Sequence, residues 1–340
     1  MKVSIGYNVI DGPWGGGNQF VSSLINALKS KGHKVVHDLK DRDIDVILIV
    51  DPRSRNPDVS FSTGSILRYL IFKNFKSIVV HRINECDERK NTKTMNFKLR
   101  VANYCADQTI IVGEWMKKLN IFFTEKNKNI LTIRNGSNNK IFNSIGYKKW
   151  NYKSKFKLVT HHWSGNWMKG FDIYKKIDFM LEKKQYKDIF EFTYIGNLPK
   201  NFTFKNSRHV KPLYGKKLAD ELKKHHGYIT ASINEPGGNH QNEAALCGLP
   251  LLYRDSGCLP EYCDGYGIKF NEKNFEKKII QFKNHYNSLT KKMKKYPFTD
   301  IETNKLYIDL FLDLISKKDN VVKNRKLFSS PFMFLINHCI

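Results

Sequence analysis

Two glutamates, Glu235 and Glu243, stand eight residues apart around a Pro236-Gly237-Gly238 turn. The apolar run at 228–233 before them reads as a buried strand, and the glycines allow backbone angles and close approaches that side chains forbid. Asn239 has the residue type of an N-cap for a short helix to Leu246, which Gly248 and Pro250 would end. Strand, glycine turn and helix N-terminus together form a cradle for an anion such as phosphate, through free N–H groups around Gly238 and Asn239.

Three other stretches carry residues able to do chemistry. In 159–170, Lys169 follows a strand-like run and two tryptophans; an ammonium at a strand end can neutralise phosphate oxygens, although a lysine-rich chain also places such a residue at random on its surface. In 81–87, His81, Asn84, Glu85 and Asp87 crowd the end of another apolar run. They read as the lip of a site, or as a structural histidine with helix-capping acids. Gly15, Gly16 and Gly17 lie between the first strand and first helix, where open α/β sheets take ligands. The loop lacks both the dinucleotide fingerprint and the Walker lysine, so a turn needing unusual backbone angles explains it equally well.

These stretches need a scaffold that puts strand ends on one side. Apolar runs at 3–7, 34–37, 46–50, 78–81, 109–112 and 129–133 alternate with helical periodicity, including Phe20, Leu24, Ile25 and Leu28. The pattern restarts at 156–161, 190–195, 228–233, 251–253 and 267–270, with late helices at 275–282 and 301–315. Unbroken apolar strands separated by helices predict α/β architecture: two Rossmann-like, doubly wound parallel-sheet domains. The polar, Lys-rich stretch 143–154 sets the expected boundary. The expected domains are 1–150, 151–300, and a C-terminal helix and tail, 301–340, packing back across them.

With 340 residues, 41% hydrophobic, the chain can bury two cores of ordinary size. Its 58 Lys+Arg against 32 Asp+Glu give +26, an attraction for polyanions. The lysines are scattered among asparagines and no nucleic-acid motif accompanies them, so a solvated surface is favoured over a nucleic-acid stripe. The strand-like opening at residues 2–7 predicts no leader, and no apolar run nears the ~20 residues of a membrane span. The last twenty residues mix Lys and Arg with aromatics; packing onto a domain is favoured over contact with a membrane surface. Six cysteines without paired spacing predict reduced thiols in a cytoplasmic setting and no zinc set.

Taken together, these positions resemble the retaining glycosyltransferases of family 4, whose two GT-B domains face a central cleft. The match runs over most of the chain: the glycine loop and Lys31-Gly-His-Lys-Val35, Asn135-Gly-Ser-Asn138 with Phe142, Lys169-Gly170, the glutamate pair, Cys247-Gly-Leu-Pro250, Ser256-Gly257 and Pro260-Glu261. The resemblance implies transfer of a hexose-type sugar from a UDP or GDP donor to a hydroxyl of a glycan, lipid or protein, with retention and without a divalent metal or other cofactor. It implies that Glu243 binds the donor's ribose. Glu235, with the backbone at Gly238 and Asn239, holds sugar and diphosphate. Lys169 offsets charge on the departing diphosphate, which Gly16 and Gly17 approach from the first domain, and His81 lies near the reacting sugar, with Asn84 and Glu85 on the acceptor side. Two positions depart from the family. Trp163 stands where an arginine is usual, which leaves His162 or a first-domain arginine to complete the cationic clamp. Gly237 replaces an aromatic, which opens space near the sugar. Nucleic acid is not an expected partner, contact with an anionic membrane is the peripheral alternative, and the expected state is monomer or homodimer. The rival readings are a nucleotide-sugar epimerase or hydrolase on the same fold, a basic nucleic-acid-binding protein, and a silent scaffold.

Overall fold

The computed structural model describes residues 1–10, 15–122, 129–325 and 327–338; part of the glycine loop (11–14) and Cys339 lie outside these. The chain divides into two compact units, Met1–Arg134 with Ile301–Ile340, and Asn135–Asp300.

The first unit holds a six-stranded, wholly parallel sheet of β1 (Lys2–Ile5), β2 (Lys34–Val36), β3 (Val46–Ile49), β4 (Ile78–Ile83), β5 (Gln108–Ile111) and β6 (Ile130–Thr132), in the order β2-β1-β3-β4-β5-β6. Its unbroken apolar strands are explained by burial on both faces. Side chains alternate along a strand: Val46 and Leu48 of β3 join a core with α1 (Gly16–Ser30), while Ile47 and Ile49 join another with α2 (Thr63–Phe72). A third helix, α3 (Met95–Ala102), packs Leu99 beside Ile83 and Ile111.

The second unit repeats the plan with β7 (Phe156–His162), β8 (Phe190–Gly196), β9 (Arg208–Val210), β10 (Gly227–Thr230), β11 (Leu251–Arg254) and β12 (Gly267–Phe270), all parallel in the order β12-β11-β10-β7-β8-β9. Helices α4 (Phe171–Met180), α5 (Lys184–Lys187), α6 (Gly215–Leu222), α7 (His240–Leu246), α8 (Leu259–Cys263), α9 (Phe275–Asn284) and α10 (Tyr286–Lys292) flank it. The chain then returns to the first unit through α11 (Asp300–Ser316), α12 (Lys318–Lys323) and α13 (Pro331–Ile336). Tyr307, Ile308 and Phe311 of α11 are buried against Val3, Ile5 and Phe20.

The division falls at Arg134, earlier than the polar stretch 143–154 suggests. That stretch is packed onto the second unit rather than spanning two bodies. Tyr147 shares a hydroxyl contact of 2.9 Å with Tyr286, the Trp150 N–H donates to the same hydroxyl at 2.9 Å, and the Trp150 indole meets Phe156 edge-on at 5.0 Å. Farther back, the Asn135 N–H donates to Tyr262 at 2.7 Å and its side-chain amide to the Gly237 carbonyl at 2.6 Å. The segment Ile301–Ile340 groups with the first unit.

Candidate functional site

In the second unit the site is built at the C-terminal ends of β7 and β10. After β7, the Asn166 carboxamide accepts the Met168 N–H at 2.8 Å and winds Trp167–Lys169 into a single turn. Gly170 ends that turn with φ of 99°, and a Cβ there would lie 2.5 Å from Ala231, so only glycine fits. The Ile233 N–H donates to the Met168 carbonyl at 2.8 Å and ties the turn to the chain leaving β10.

Beyond β10, Asn234 takes the left-handed conformation (φ 51°) that asparagine tolerates better than most residues, and its N–H donates to Ser256 Oγ at 3.0 Å. Gly257 packs so closely that a Cβ would lie 2.5 Å from the Glu235 nitrogen, and the Cys258 N–H donates to the Glu235 carbonyl at 2.9 Å. These constraints aim Glu235 at the Lys169 turn. Lys169 Nζ stands 2.5 Å from Glu235 Oε2, with 12% and 4% of the two side chains exposed. Burying both charges is costly, and the pair offsets that cost only while it remains intact.

Helix α7 brings the second glutamate to the same end of the sheet. Glu243 meets His161 Nε2 at 2.7 Å, and both side chains are buried. The helix is seated by Asn242, whose amide donates to the Asn135 carbonyl at 2.9 Å and whose Oδ1 accepts from Tyr296 at 2.6 Å. His240 Nε2 lies 2.8 Å from Thr230 Oγ1. Asn239 occupies the N-cap position but makes no side-chain cap bond there. Gly238 serves through close approach and not through left-handed backbone: a Cβ would fall 2.6 Å from the His240 ring.

His161 was missed by the sequence reading, which selected its neighbour. Residues 161 and 162 point to opposite faces of β7. His162 faces inward, with its Nε2 2.8 Å from the Tyr174 hydroxyl and its ring 4.6 Å from that of His240. Burial, then the neighbouring His240 and Lys169, hold its pKa well below the usual imidazole value. In this ligand-free state that environment disfavours the imidazolium His162 would need as part of a cationic clamp. The adjacent pair of histidines was the available signal, but choosing between them required the phase of the strand. Trp163 follows with half its surface exposed, its carbonyl accepting from the Asn197 amide at 2.6 Å.

The remaining predicted residues lie in the first unit. Gly16 and Gly17 open α1, and a Cβ at Gly17 would meet nothing within 4 Å. Asn18, not foreseen, secures the start of that helix: its Oδ1 accepts the Ile10 N–H at 2.9 Å and its Nδ2 donates to the Ile10 carbonyl at 2.8 Å. His81 is wholly buried in β4, with Nδ1 3.0 Å from Asn103 Oδ1 and Nε2 without a hydrogen-bond partner. Burial pushes its pKa down to about 4. Glu85 is half-buried and paired with Arg89 at 3.0 Å and Lys90 at 3.3 Å, beside the half-buried Asn84. Among the described residues no group of three His, Cys, Asp or Glu side chains could hold a metal ion. The five described cysteines are buried free thiols.

No protein-family model matches the chain, and no curated protein matches it. Solved structures do. Sucrose-phosphate synthase from Thermosynechococcus elongatus superposes with a TM-score of 0.65 at 13% identity, over 93% of this chain and 99% of that one. The catalytic domain of starch synthase IV from Arabidopsis thaliana, bound to ADP and acarbose, gives 0.65 at 14% identity, over 93% and 99%. Anabaena HepE in complex with UDP-glucose gives 0.63 at 12% identity, over 92% and 100%. The chain has the GT-B fold. At these identities the likeness is one of architecture, and what this GT-B chain itself presents is two buried contacts, Lys169 with Glu235 and Glu243 with His161, at and beyond the C-terminal ends of the neighbouring strands β7 and β10.

Proposed function

We propose that the chain is a retaining glycosyltransferase of the family 4 type, moving a sugar from a nucleoside diphosphate donor to a hydroxyl acceptor. The observation that carries this reading is the buried Lys169–Glu235 pair, eight residues before Glu243, at the C-terminal edge of a parallel sheet. A diphosphate arriving at that edge offers the Lys169 ammonium a stronger anionic partner than one carboxylate. Glu235, released from the ammonium, can then accept hydrogen bonds from hydroxyls of the sugar. As the bond from the anomeric carbon to the diphosphate oxygen breaks, negative charge grows on the leaving group, where a fixed cation lowers the barrier most. Glu243, steadied by His161, accepts the ribose hydroxyls.

The donor is assigned to the second unit. To the first unit we assign the acceptor, with His81, Asn84 and Glu85 as its candidate residues. UDP-glucose in Anabaena HepE and ADP in the plant starch synthase domain support a nucleotide donor here, and they make the base the first thing to measure. Lys169 is given the charge-offsetting role, with no divalent metal or other cofactor invoked.

Calorimetry with UDP, GDP and ADP sugars, with and without a chelator, tests both points. One donor series should bind, with affinity unchanged by the chelator. Binding that vanishes with the metal would sink the assignment to Lys169. Product analysis by NMR, with and without a sugar acceptor, then distinguishes transfer with retention from hydrolysis or epimerisation.

A further inference from the structure

The C-terminal segment of the first unit is firmly held along its inner side, yet it displays large apolar side chains on its outer side. The Arg325 guanidinium bonds to Asp107 at 2.9 and 2.7 Å, with both side chains almost fully buried, and to the Ser77 carbonyl at 2.6 Å. The Tyr104 hydroxyl donates to the Leu327 carbonyl at 2.5 Å, and Leu327 is buried. Met333 of α13 and Asn337 just after the helix are buried, and Phe334 packs on the core beneath α2. The end of α13 rests on α2 so closely that a Cβ at Gly64 would lie 2.7 Å from the Asn337 carbonyl oxygen.

Phe328, Phe332 and Leu335, spaced four and three apart, are 68%, 66% and 65% exposed, and Phe72 at the end of α2 is 76% exposed. Nearby Phe75, also exposed, carries Arg325 over its ring at 5.2 Å. Exposed aromatics on a fixed frame leave apolar area in water that a covering partner would remove. The surrounding charge indicates which partner. No Asp or Glu occurs in residues 59–84 or 320–340, and Arg68, Lys73, Lys76 and Lys323 are exposed there. The acids near this face are paired: Asp319 with Lys76 at 3.5 Å and, in the loop whose Leu39 and Lys40 carbonyls hold Lys73, Asp41 and Asp43 with Lys2 at 2.9 and 2.5 Å. A second copy would bring its own cations against these, whereas an anionic lipid surface attracts cations and accepts apolar side chains at once.

We infer that this face, formed by α13, residue 328 and the end of α2, docks peripherally on an anionic lipid bilayer, inserting Phe328, Phe332 and Leu335 among the headgroups. Among the described residues no helix is long and apolar enough to cross a membrane, so the contact is interfacial.

Flotation of the full chain tests this, with vesicles of phosphatidylcholine alone and of phosphatidylcholine mixed with phosphatidylglycerol. Binding is expected on the mixed vesicles, falling as salt is raised. The triple variant Phe328→Ser, Phe332→Ser, Leu335→Ser should lower partitioning at least about tenfold, since each replacement removes apolar area from the lipid contact. Its melting temperature should fall little, because each residue is about two-thirds exposed, with Phe328 meeting the Phe334 ring at 5.7 Å. Arg68→Gln with Lys323→Gln should weaken binding through charge alone. Failure of the native chain to float, equal flotation with phosphatidylcholine alone, or unchanged binding by the triple variant would each overturn the inference. So would sedimentation showing a dimer that the triple variant dissolves.

Discussion

Lys169 and Glu235 form a buried ion pair, and the proposed mechanism opens it to a third charged group. Removing either partner leaves the other buried and unpaired, and in the proposed reaction it also removes a contact to the reacting ligand. Glu235→Gln and Lys169→Ala should each lower kcat for transfer about 100-fold or more, the scale of one lost transition-state electrostatic contact. Wild-type turnover by either variant would take that residue out of the mechanism. The Glu243–His161 contact of 2.7 Å makes a separate prediction. His161→Ala and Glu243→Ala should each weaken nucleotide binding more than they slow chemistry. Their effects should also be less than additive, because the two residues form one unit; fully additive losses by calorimetry would separate them. His81 gives a pH prediction. Its folded pKa of about 4 lies below the ordinary 6.5, so between these values the unfolded chain binds more protons. Its contribution to stability is fully present above pH 6.5 and is lost as pH falls toward 4. His225 and His226, also lowered to about 4 by burial, add in the same direction. Denaturant midpoints should therefore fall across this window, and His81→Gln should flatten part of that slope; an unchanged slope would show that His81 is not held neutral.

At the scale of elements, what the sequence made legible was the burial pattern. Apolar runs marked eleven of the twelve strands within a few residues, most plainly central ones such as β3, which is buried on both faces and so leaves no polar alternation to obscure it. The exception, β9, reads Arg-His-Val and is mostly exposed at the sheet edge, so it has no apolar signature. Helix α2 was also missed, since its apolar stretch 66–72 fits a buried strand or a helix equally well. In the site, residue types pointed to Lys169, Glu235 and Glu243, but the backbone that aims them did not declare itself. The glycine turn was expected to allow special backbone angles or close approaches; Gly238 makes a close approach, while the left-handed backbone lies at Asn234 and Gly257, where the loop after β11 clamps Glu235 from the side. Gly170 is a buried joint of this turn that a side chain would disturb. Gly170→Ala combines a φ of 99° with a Cβ 2.5 Å from Ala231, so it should cost about 1–3 kcal/mol of stability and also displace Lys169. Chemical denaturation and nucleotide calorimetry on that variant should both report losses. Native nucleotide affinity in a destabilised Gly170→Ala chain would mean that Lys169 is positioned by something other than this turn.

For the whole molecule, the division into units predicts an asymmetry between fragments. The second unit is a single continuous stretch, Asn135–Asp300, with its own sheet and a core around Phe156, Phe190, Tyr194 and Phe282. The first unit is discontinuous. Its sheet comes from the stretch before Arg134, but Tyr307, Ile308, Phe311 and Leu314 of α11 complete the core that includes Val3, Ile5 and Phe20. Asn304 donates to Ser23 at 2.8 Å, and Thr303 donates to the Arg134 carbonyl at 3.0 Å. Leaving out α11 uncovers several large apolar side chains together, each worth about 1.5–3 kcal/mol when buried, against a net stability of only about 5–15 kcal/mol for a typical domain. A fragment of residues 1–134 should therefore fail to fold cooperatively, and adding 301–340 through a flexible linker should restore a sharp thermal transition. The fragment 135–300 should fold alone, and because Lys169, Glu235, Glu243 and His161 all lie within it, it should bind the donor nucleotide without transferring sugar. Circular dichroism melts and calorimetry on the three fragments check each step. A cooperative fold for 1–134 alone would mean that α11 is dispensable to that core. A folded 135–300 that ignores every nucleotide tested would remove the donor from the second unit and with it the role proposed for the Lys169–Glu235 pair.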